Sequence, residues 1–319
     1  MLQRIERFAK FSSKRKYGIE LEFSNHPSHD PGVNQLSLIV QERLNMRCDI
    51  RSYEHTQDNF DYWVAKTDGS CGVRKTLGTE LASPILSGSS KLKEASELLP
   101  VLEEKGFTCG VECGNHVHVN VSDFPLEQIK IMTMYWLKIE RLVMNGTPVH
   151  RRNNQYCKML EHVNSDFMPD QNYTPDQVWR VACSGRNAIN VSGSTSRRPT
   201  VEFRFGDMTM NPEVVKNRVR FLVWFVDICK ILPAPDNLNW FTPKQAFRML
   251  GLWNVAESAV KYSYSPAIQS MREWMLARII EHAGTHYSRD KEWCREMIEQ
   301  VRAETASIVQ DRETAAIEA

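Results

Sequence analysis

Acids and histidines stand at alternate positions along several short apolar segments, the spacing that gathers side chains on one face of a strand. In Gly18-Ile19-Glu20-Leu21-Glu22-Phe23 the two carboxylates share one face while Ile19, Leu21 and Phe23 share the other. Like charges so placed repel unless a cation or water screens them, and a bound divalent metal would settle the conflict. The device recurs. Gly114-Asn115-His116-Val117-His118-Val119-Asn120 sets two histidines against two valines, and Thr200-Val201-Glu202-Phe203-Arg204-Phe205 sets an acid and an arginine against apolar partners. A shorter segment, Gly78-Thr79-Glu80-Leu81-Ala82-Ser83-Pro84, carries one acid before a proline that cannot continue a ladder. An ordinary solvated face would alternate with Thr, Lys, Ser and Gln and scatter its charges in sign.

Helices must hold these strands, and their starts are well signalled. Thr174-Pro175-Asp176-Gln177 combines a cap, a first-turn proline and a capping-box Gln, and Asn211-Pro212-Glu213, Thr242-Pro243 and Ser265-Pro266 repeat the cap-then-proline device. Pro125 to Asn145, closed by Gly146, carries an apolar stripe of Ile129, Met132, Trp136, Ile139 and Val143. Further helices are expected over Val33–Asn45, Lys91–Lys105, Pro212–Leu232, Pro243–Met249, Pro266–Ala283 and Asp290–Ile308. Strand-like and helix-like segments alternate to about residue 232, and beyond it the pattern is helical. The expected division is a core over residues 1–232 and a helical section over 233–319 packed on it as one continuous domain.

At 319 residues and 42% hydrophobic, the chain can bury a sizeable core, and a formal net charge of +1 recruits neither nucleic acid nor an acidic membrane. The basic clusters Lys14-Arg15-Lys16 and Arg197-Arg198 read as solvated surface. Eight cysteines without the density of a disulfide scaffold read as reduced thiols in a cytoplasmic protein, and the charged N-terminus argues against a secretory signal. Cys109, Cys113, His116 and His118 lie close enough to suggest structural zinc, but one residue between the histidines is poor spacing for it. Nothing marks Cys113 as a nucleophile.

Five blocks in order, GIELEF, WVAKTDGS (Trp63 to Ser70), GTELASPIL (Gly78 to Leu86), GNHVHVN and VEFRFGDMTMNP (Val201 to Pro212), resemble the carboxylate–amine ligases of glutamine synthetase-like fold, most closely the amidoligase family and glutamate–cysteine ligase. The resemblance covers Gly18 to Leu232. It implies an α+β fold: a curved, mainly antiparallel sheet forming a funnel, wrapped by helices. It further implies ATP-dependent formation of an amide or isopeptide bond through an acyl phosphate, with two or three Mg²⁺ or Mn²⁺ ions. Carried over residue by residue, it makes Glu20, Glu22, Glu80, His116 and Glu202 metal ligands. Arg204 resembles the arginine that contacts the transferring phosphoryl group, and Asp68 the acid that holds or deprotonates the amine. His118, Arg151, Arg186 and Asn190 resemble residues lining the substrate or nucleotide site.

The chemistry asks for these residue types. Phosphorylating a carboxylate with ATP brings two anions together, so metal ions and an arginine must neutralise their repulsion. Mg²⁺ takes oxygen ligands, a histidine would also admit Mn²⁺, and Arg offers phosphate a bidentate fork. Amine attack needs a neutral amine, hence an acid to take its proton. The expected partners are ATP, a carboxylate and an amine, either of which could belong to a peptide or protein; homo-oligomer formation stays open. Two rivals share some of these features: a non-catalytic structural or assembly protein on the same fold, and a metal-dependent hydrolase, which would not need Arg204.

Overall fold

A computed structural model of the chain describes residues 14–25, 32–52, 61–71, 78–152, 154–160, 174–183, 185–195, 199–236, 240–252, 266–283, 291–303 and 306. In chain order the elements are β1 (Lys16–Asn25), α1 (Gly32–Leu44), β2 (Cys48–Arg51), β3 (Trp63–Asp68), β4 (Gly78–Ala82), β5 (Leu86–Ser87), α2 (Gly88–Ser96), α3 (Leu98–Glu104), β6 (Phe107–Thr108) and β7 (Gly114–Asn120). They continue with α4 (Leu126–Asn145), α5 (Val149–Arg152), α6 (Pro175–Ala182), β8 (Ile189–Asn190), a 3-10 turn (Ser192–Thr195), β9 (Thr200–Asp207), α7 (Pro212–Cys229), α8 (Pro243–Met249) and α9 (Pro266–His282). Residues 291–303 are also helical.

The described strands form one open sheet in the order β2-β3-β4-β1-β7-β9-β8, with β5 and β6 pairing the ends of β1. Among the described strands only β2–β3 is parallel and the other strand pairs are antiparallel, so the α+β class with a mainly antiparallel sheet is what the chain adopts. Alternation decides the faces. Ile19, Leu21 and Phe23 of β1, Val117 and Val119 of β7, and Val201, Phe203 and Phe205 of β9 are buried on one side. Trp136 of α4 seats there, its ring centroid 5.0 Å from Phe203, 5.6 Å from Phe205 and 5.5 Å from Phe225 of α7. Burying side chains of this size contributes on the order of 2 kcal/mol each, enough to commit the other face of the same strands to polar work.

The caps form as expected. Thr174 and Thr242 each complete a capping box with Gln177 and Gln245, and Asn211 accepts from the Glu213 amide ahead of α7. Ser265 lies outside the described residues, as do Arg197 and Arg198. The helix expected over Lys91–Lys105 is two helices. Pro100 has no amide hydrogen, and its ring would clash with the carbonyl of Ser96 four residues back, so α2 stops at Ser96 and α3 restarts at Leu98. Arg15 is also not solvated surface. Its guanidinium is buried, with Nε 2.6 Å from Asp227, Nη1 2.7 Å from Asp123 and a further bond to the Asn120 carbonyl, tying the start of β1 to the end of β7 and to α7. Among the described residues no helix is long and apolar enough to cross a membrane.

The back of the sheet is locked by a buried charge network. Arg218 of α7 donates to Asp207 at the end of β9 (2.7 Å) and to Asn115 (3.0 Å), while Arg278 of α9 reaches the same carboxylate at 3.0 Å. Burial alone would raise the Asp207 carboxyl, but the two guanidiniums prevail and hold it below the usual range. That stabilisation is present above the ordinary Asp value and disappears as pH falls through the lowered folded one. Asp207→Asn should therefore cost about 3–5 kcal/mol near neutral pH by leaving Arg218 buried against a neutral partner. Thermal unfolding at stepped pH should show the wild-type advantage shrinking below about pH 4; a constant gap would exclude the charge as its source.

Candidate active site

Register aligns the polar face into rows. Lys66, Glu80 and Glu22 stand opposite one another across β3, β4 and β1. Glu20 faces His116, while Gly18, His118, Glu202 and Asn190 continue across β1, β7, β9 and β8. The pairing of β7 with β9 slips between Asn115 and Val117, placing His116 at an irregular step of the kind that re-aims a side chain. Asn115 fixes that step: its amide donates to the Glu20 carbonyl and its oxygen accepts from Arg218 behind the sheet.

Glu20 is the hub. Its Oε2 lies 3.0 Å from His116 Nδ1 and its Oε1 3.1 Å from His118 Nε2. Burial would raise its carboxyl, yet the two histidines hold it well below the usual range. His118 moves in the complementary direction: burial pulls it down, the Glu20 carboxylate overrides this, and its value rises to about 9. Donor atoms of Glu20, His118 and Glu202 all fall within 4.8 Å of one another. His116 bridges to the next carboxylate, with Nε2 3.4 Å from Glu22.

Glu202 also carries Arg204, whose Nη1 bonds it directly while Nε donates to the Tyr156 carbonyl at 3.0 Å. Asn190 donates to the other Glu202 oxygen at 3.1 Å. Arg151 is buried beneath this corner, bonding the Arg204 and Glu112 carbonyls, and its charge acts on Glu22. Arg186 is exposed, its guanidinium stacked 4.8 Å from the ring centroid of the same Tyr156.

On the other flank Glu22 accepts from the Gly114 amide at 2.5 Å, and burial followed by the charge of Asp68 raises its carboxyl. Asp68 is buried and accepts from the Ser70 amide at 2.7 Å, forming a tight turn after β3. Glu80 meets a cation of the chain's own, Lys66 Nζ at 2.8 Å; burial and Glu20 still push its carboxyl up to about 8. A second convergence unites Glu22, Asp68 and Cys71. Among the described residues these two triplets are the groupings of potential metal donors, and neither is the Cys109–Cys113–His116–His118 set. All eight cysteines are free thiols.

The structure thus gathers Glu20, Glu22, Glu80, His116, His118, Glu202, Arg204 and Asp68 on one face, with Asn190 and Arg151 at its edge, and stacks Arg186 on Tyr156, whose carbonyl accepts from Arg204. His118, expected to hold substrate or phosphate, lies in the triplet with Glu20 and Glu202, while His116 sits between Glu20 and Glu22. Lys66 and Cys71 were not anticipated. Lys66 was legible, being two residues before Asp68 on the same strand; Cys71 follows a turn, where periodicity says nothing about direction.

A family model for the putative amidoligase enzyme matches residues 13–226. The chain belongs to that family. The matched span contains every residue of the two triplets. Among solved structures the chain is similar to the ligase PafA in its complex with the prokaryotic ubiquitin-like protein Pup, at 12% identity and a TM-score of 0.36 over 93% of this chain. It spans 65% of the length of that ligase chain. No curated protein matches the sequence.

Gly114 offers a test of this amidoligase site that spares the core. A methyl group there would lie 2.8 Å from His116 Nε2 and 2.9 Å from Arg151 Nη2, among side chains of the site. Gly114→Ala should lower turnover of the ligase reaction proposed below at least about tenfold, the order expected for mispositioned catalytic groups. Chemical denaturation should change by less than about 1 kcal/mol, because the displaced atoms are side-chain ends. Full activity would place the site elsewhere.

Proposed function

We propose that this protein is an ATP-dependent carboxylate–amine ligase working through an acyl phosphate, with Mg²⁺ or Mn²⁺ as its metal. The observation that carries this reading is the convergence of Glu20, His118 and Glu202 with Arg204 resting on the same Glu202. Two carboxylates and one imidazole fit Mg²⁺ or Mn²⁺, and Asn190 and His116 supply the supporting contacts that orient such ligands. Glu22 lies within reach through His116. Glu80 fits less well, since Lys66 Nζ already lies 2.8 Å from it. When bound, the metal would screen the triphosphate and help neutralise the charge developing in phosphoryl transfer.

The remaining work falls to side chains. Arg204 binds phosphate oxygens, its guanidinium fixed by Glu202 and the Tyr156 carbonyl so that little reorganisation is needed. The substrate carboxylate attacks the γ-phosphorus and ADP leaves. The amine then attacks the acyl carbon, phosphate leaves, and Asp68 takes the amine proton. Burial of Asp68 and Glu22 keeps water from competing for the acyl phosphate.

Incubating the protein with Mg²⁺, ATP and panels of amino acids and peptides tests this directly. ADP should form only when a suitable carboxylate and amine are both present, with a product lighter by one water than its parts. Mg·ATP binding without ADP release across the panels would favour a non-catalytic role for the fold.

A further inference from the structure

Two thiols meet at the border of the site. Cys71 lies in the turn after β3 and Cys113 just before β7, 42 positions apart in sequence. Cys113 Sγ donates weakly to the Cys71 carbonyl at 3.9 Å and accepts from the Cys71 thiol. The Gly110 amide donates to the same sulfur at 3.4 Å. The bond from Cys71 holds the Cys113 thiol below its ordinary range against burial, with the Gly110 amide assisting, and that bond together with burial raises Cys71. Glycines make room for both sulfurs beside β1. A Cβ at Gly78 would collide with Cys71 Sγ and lie 2.8 Å from the Phe23 carbonyl; one at Gly110 would lie 3.2 Å from Ser24 Oγ and 3.9 Å from Cys113 Sγ. The two cysteines are 1% and 0% exposed, so a bulky oxidant is excluded. Cys71 Sγ nevertheless lies within 4.8 Å of carboxylate oxygens of Glu22 and Asp68, on the polar side that a small one can reach.

We infer that Cys71 and Cys113 are a redox modification site, forming a reversible disulfide when hydrogen peroxide enters the polar face. Sulfurs already in hydrogen-bond contact need only close to about 2.05 Å. Cys113, as the acceptor of two hydrogen bonds, is the attacking thiolate. Its sulfur bonds one peroxide oxygen, the O–O bond breaks, and the other oxygen leaves as water after taking a proton. The Cys71 sulfur then attacks the Cys113 sulfenic acid, the S–S bond forms, the S–O bond breaks, and a second water leaves with the Cys71 proton. Two thiols are oxidised and one peroxide is reduced. The functional consequence rests on the ligase reading. Asp68, held by the Ser70 amide, stands three residues before Cys71, and Gly114, whose amide holds Glu22, directly follows Cys113. A covalent tie between the two segments shifts the groups that place Asp68 and Glu22, so the oxidised chain should turn over at least about tenfold more slowly.

The test treats the full, reduced chain with a small excess of hydrogen peroxide, alkylates the remaining thiols and maps the peptides by mass spectrometry. Cleavage after Glu112 puts Cys109 and Cys113 on different peptides. A Cys71–Cys113 peptide lighter by two hydrogens should appear and should separate on reduction with dithiothreitol. Cys71→Ser should stop Cys113 at the sulfenic acid, trapped by dimedone. Cys113 linked to Cys109, Cys113 left as a thiol, or Cys113 carried to the sulfinic acid without a link would each overturn the site. Should the variant misfold, the wild-type map decides alone. ADP formation should fall in the oxidised chain and return with dithiothreitol; equal turnover in both forms would overturn the regulatory consequence. Absence of ADP formation in both would reject the ligase reading and leave the peptide map standing.

Discussion

Glu20→Gln is expected to weaken Mn²⁺ binding by at least about a hundredfold and to lower ADP formation by about a thousandfold or more. The reasoning starts from position. Glu20 hydrogen-bonds both histidines, and it belongs to the triplet whose donors converge. Glutamine keeps the volume and can still bond an imidazole, so the sheet should fold with its apolar face unchanged. What it removes is a negative charge at the site proposed to attract a divalent cation. A missing ligand costs more than the ten- to hundredfold typical of supporting residues. Metal stabilisation of transferring charge is worth several kcal/mol, and each 1.36 kcal/mol is about a factor of ten in rate. Paramagnetic resonance of free Mn²⁺ and an ADP-release assay on the same sample read both effects. Wild-type Mn²⁺ affinity in the variant would remove Glu20 from the ligand set, whatever happened to turnover.

That such a variant could be chosen from the chain alone reflects which features are local. Period-two alternation names the face of Glu20, Glu22, His116, His118 and Glu202 without knowledge of their partners, because each sits in a strand whose other face is apolar. Caps at Thr174, Asn211 and Thr242 were equally readable, since each lies within three residues of the group it serves. What escaped depends on pairing across long separations. The slip at Asn115, which aims His116, exists only because β7 meets β9, and Arg218 supports it from a helix about a hundred residues away. Arg15 read as solvated because its acids, Asp123 and Asp227, lie far along the chain. The break at Glu97 was written in Pro100 but masked by the leucine-rich run around it. Lys66 against Glu80 changes the expected chemistry most: an acid placed by motif among the metal ligands has an ammonium beside it, which only the β3–β4 register reveals.

Arg204→Lys should cut the phosphoryl-transfer step by about a hundred- to a thousandfold while nucleotide binding falls only a few-fold. The size follows from what is lost when a preorganised donor to developing charge is removed. Lysine keeps the positive charge, so the long-range attraction for a triphosphate survives. It loses the planar fork that bonds Glu202 and the Tyr156 carbonyl at once, and with it the fixed direction of the remaining donors. Ground-state binding draws mainly on charge; the transition state draws on geometry, so the two should separate. The Arg204 guanidinium is already held above its usual pKa by Glu202 and Glu20 against the pull of burial, so it stays charged throughout any accessible pH range. A pH shift therefore cannot mimic or rescue the lesion. Single-turnover formation of ADP, set beside equilibrium binding of a non-hydrolysable ATP analogue, distinguishes the outcomes: losses of equal size would make Arg204 a binding residue alone, and its rank in the mechanism would pass to the metal and to the residues that hold it.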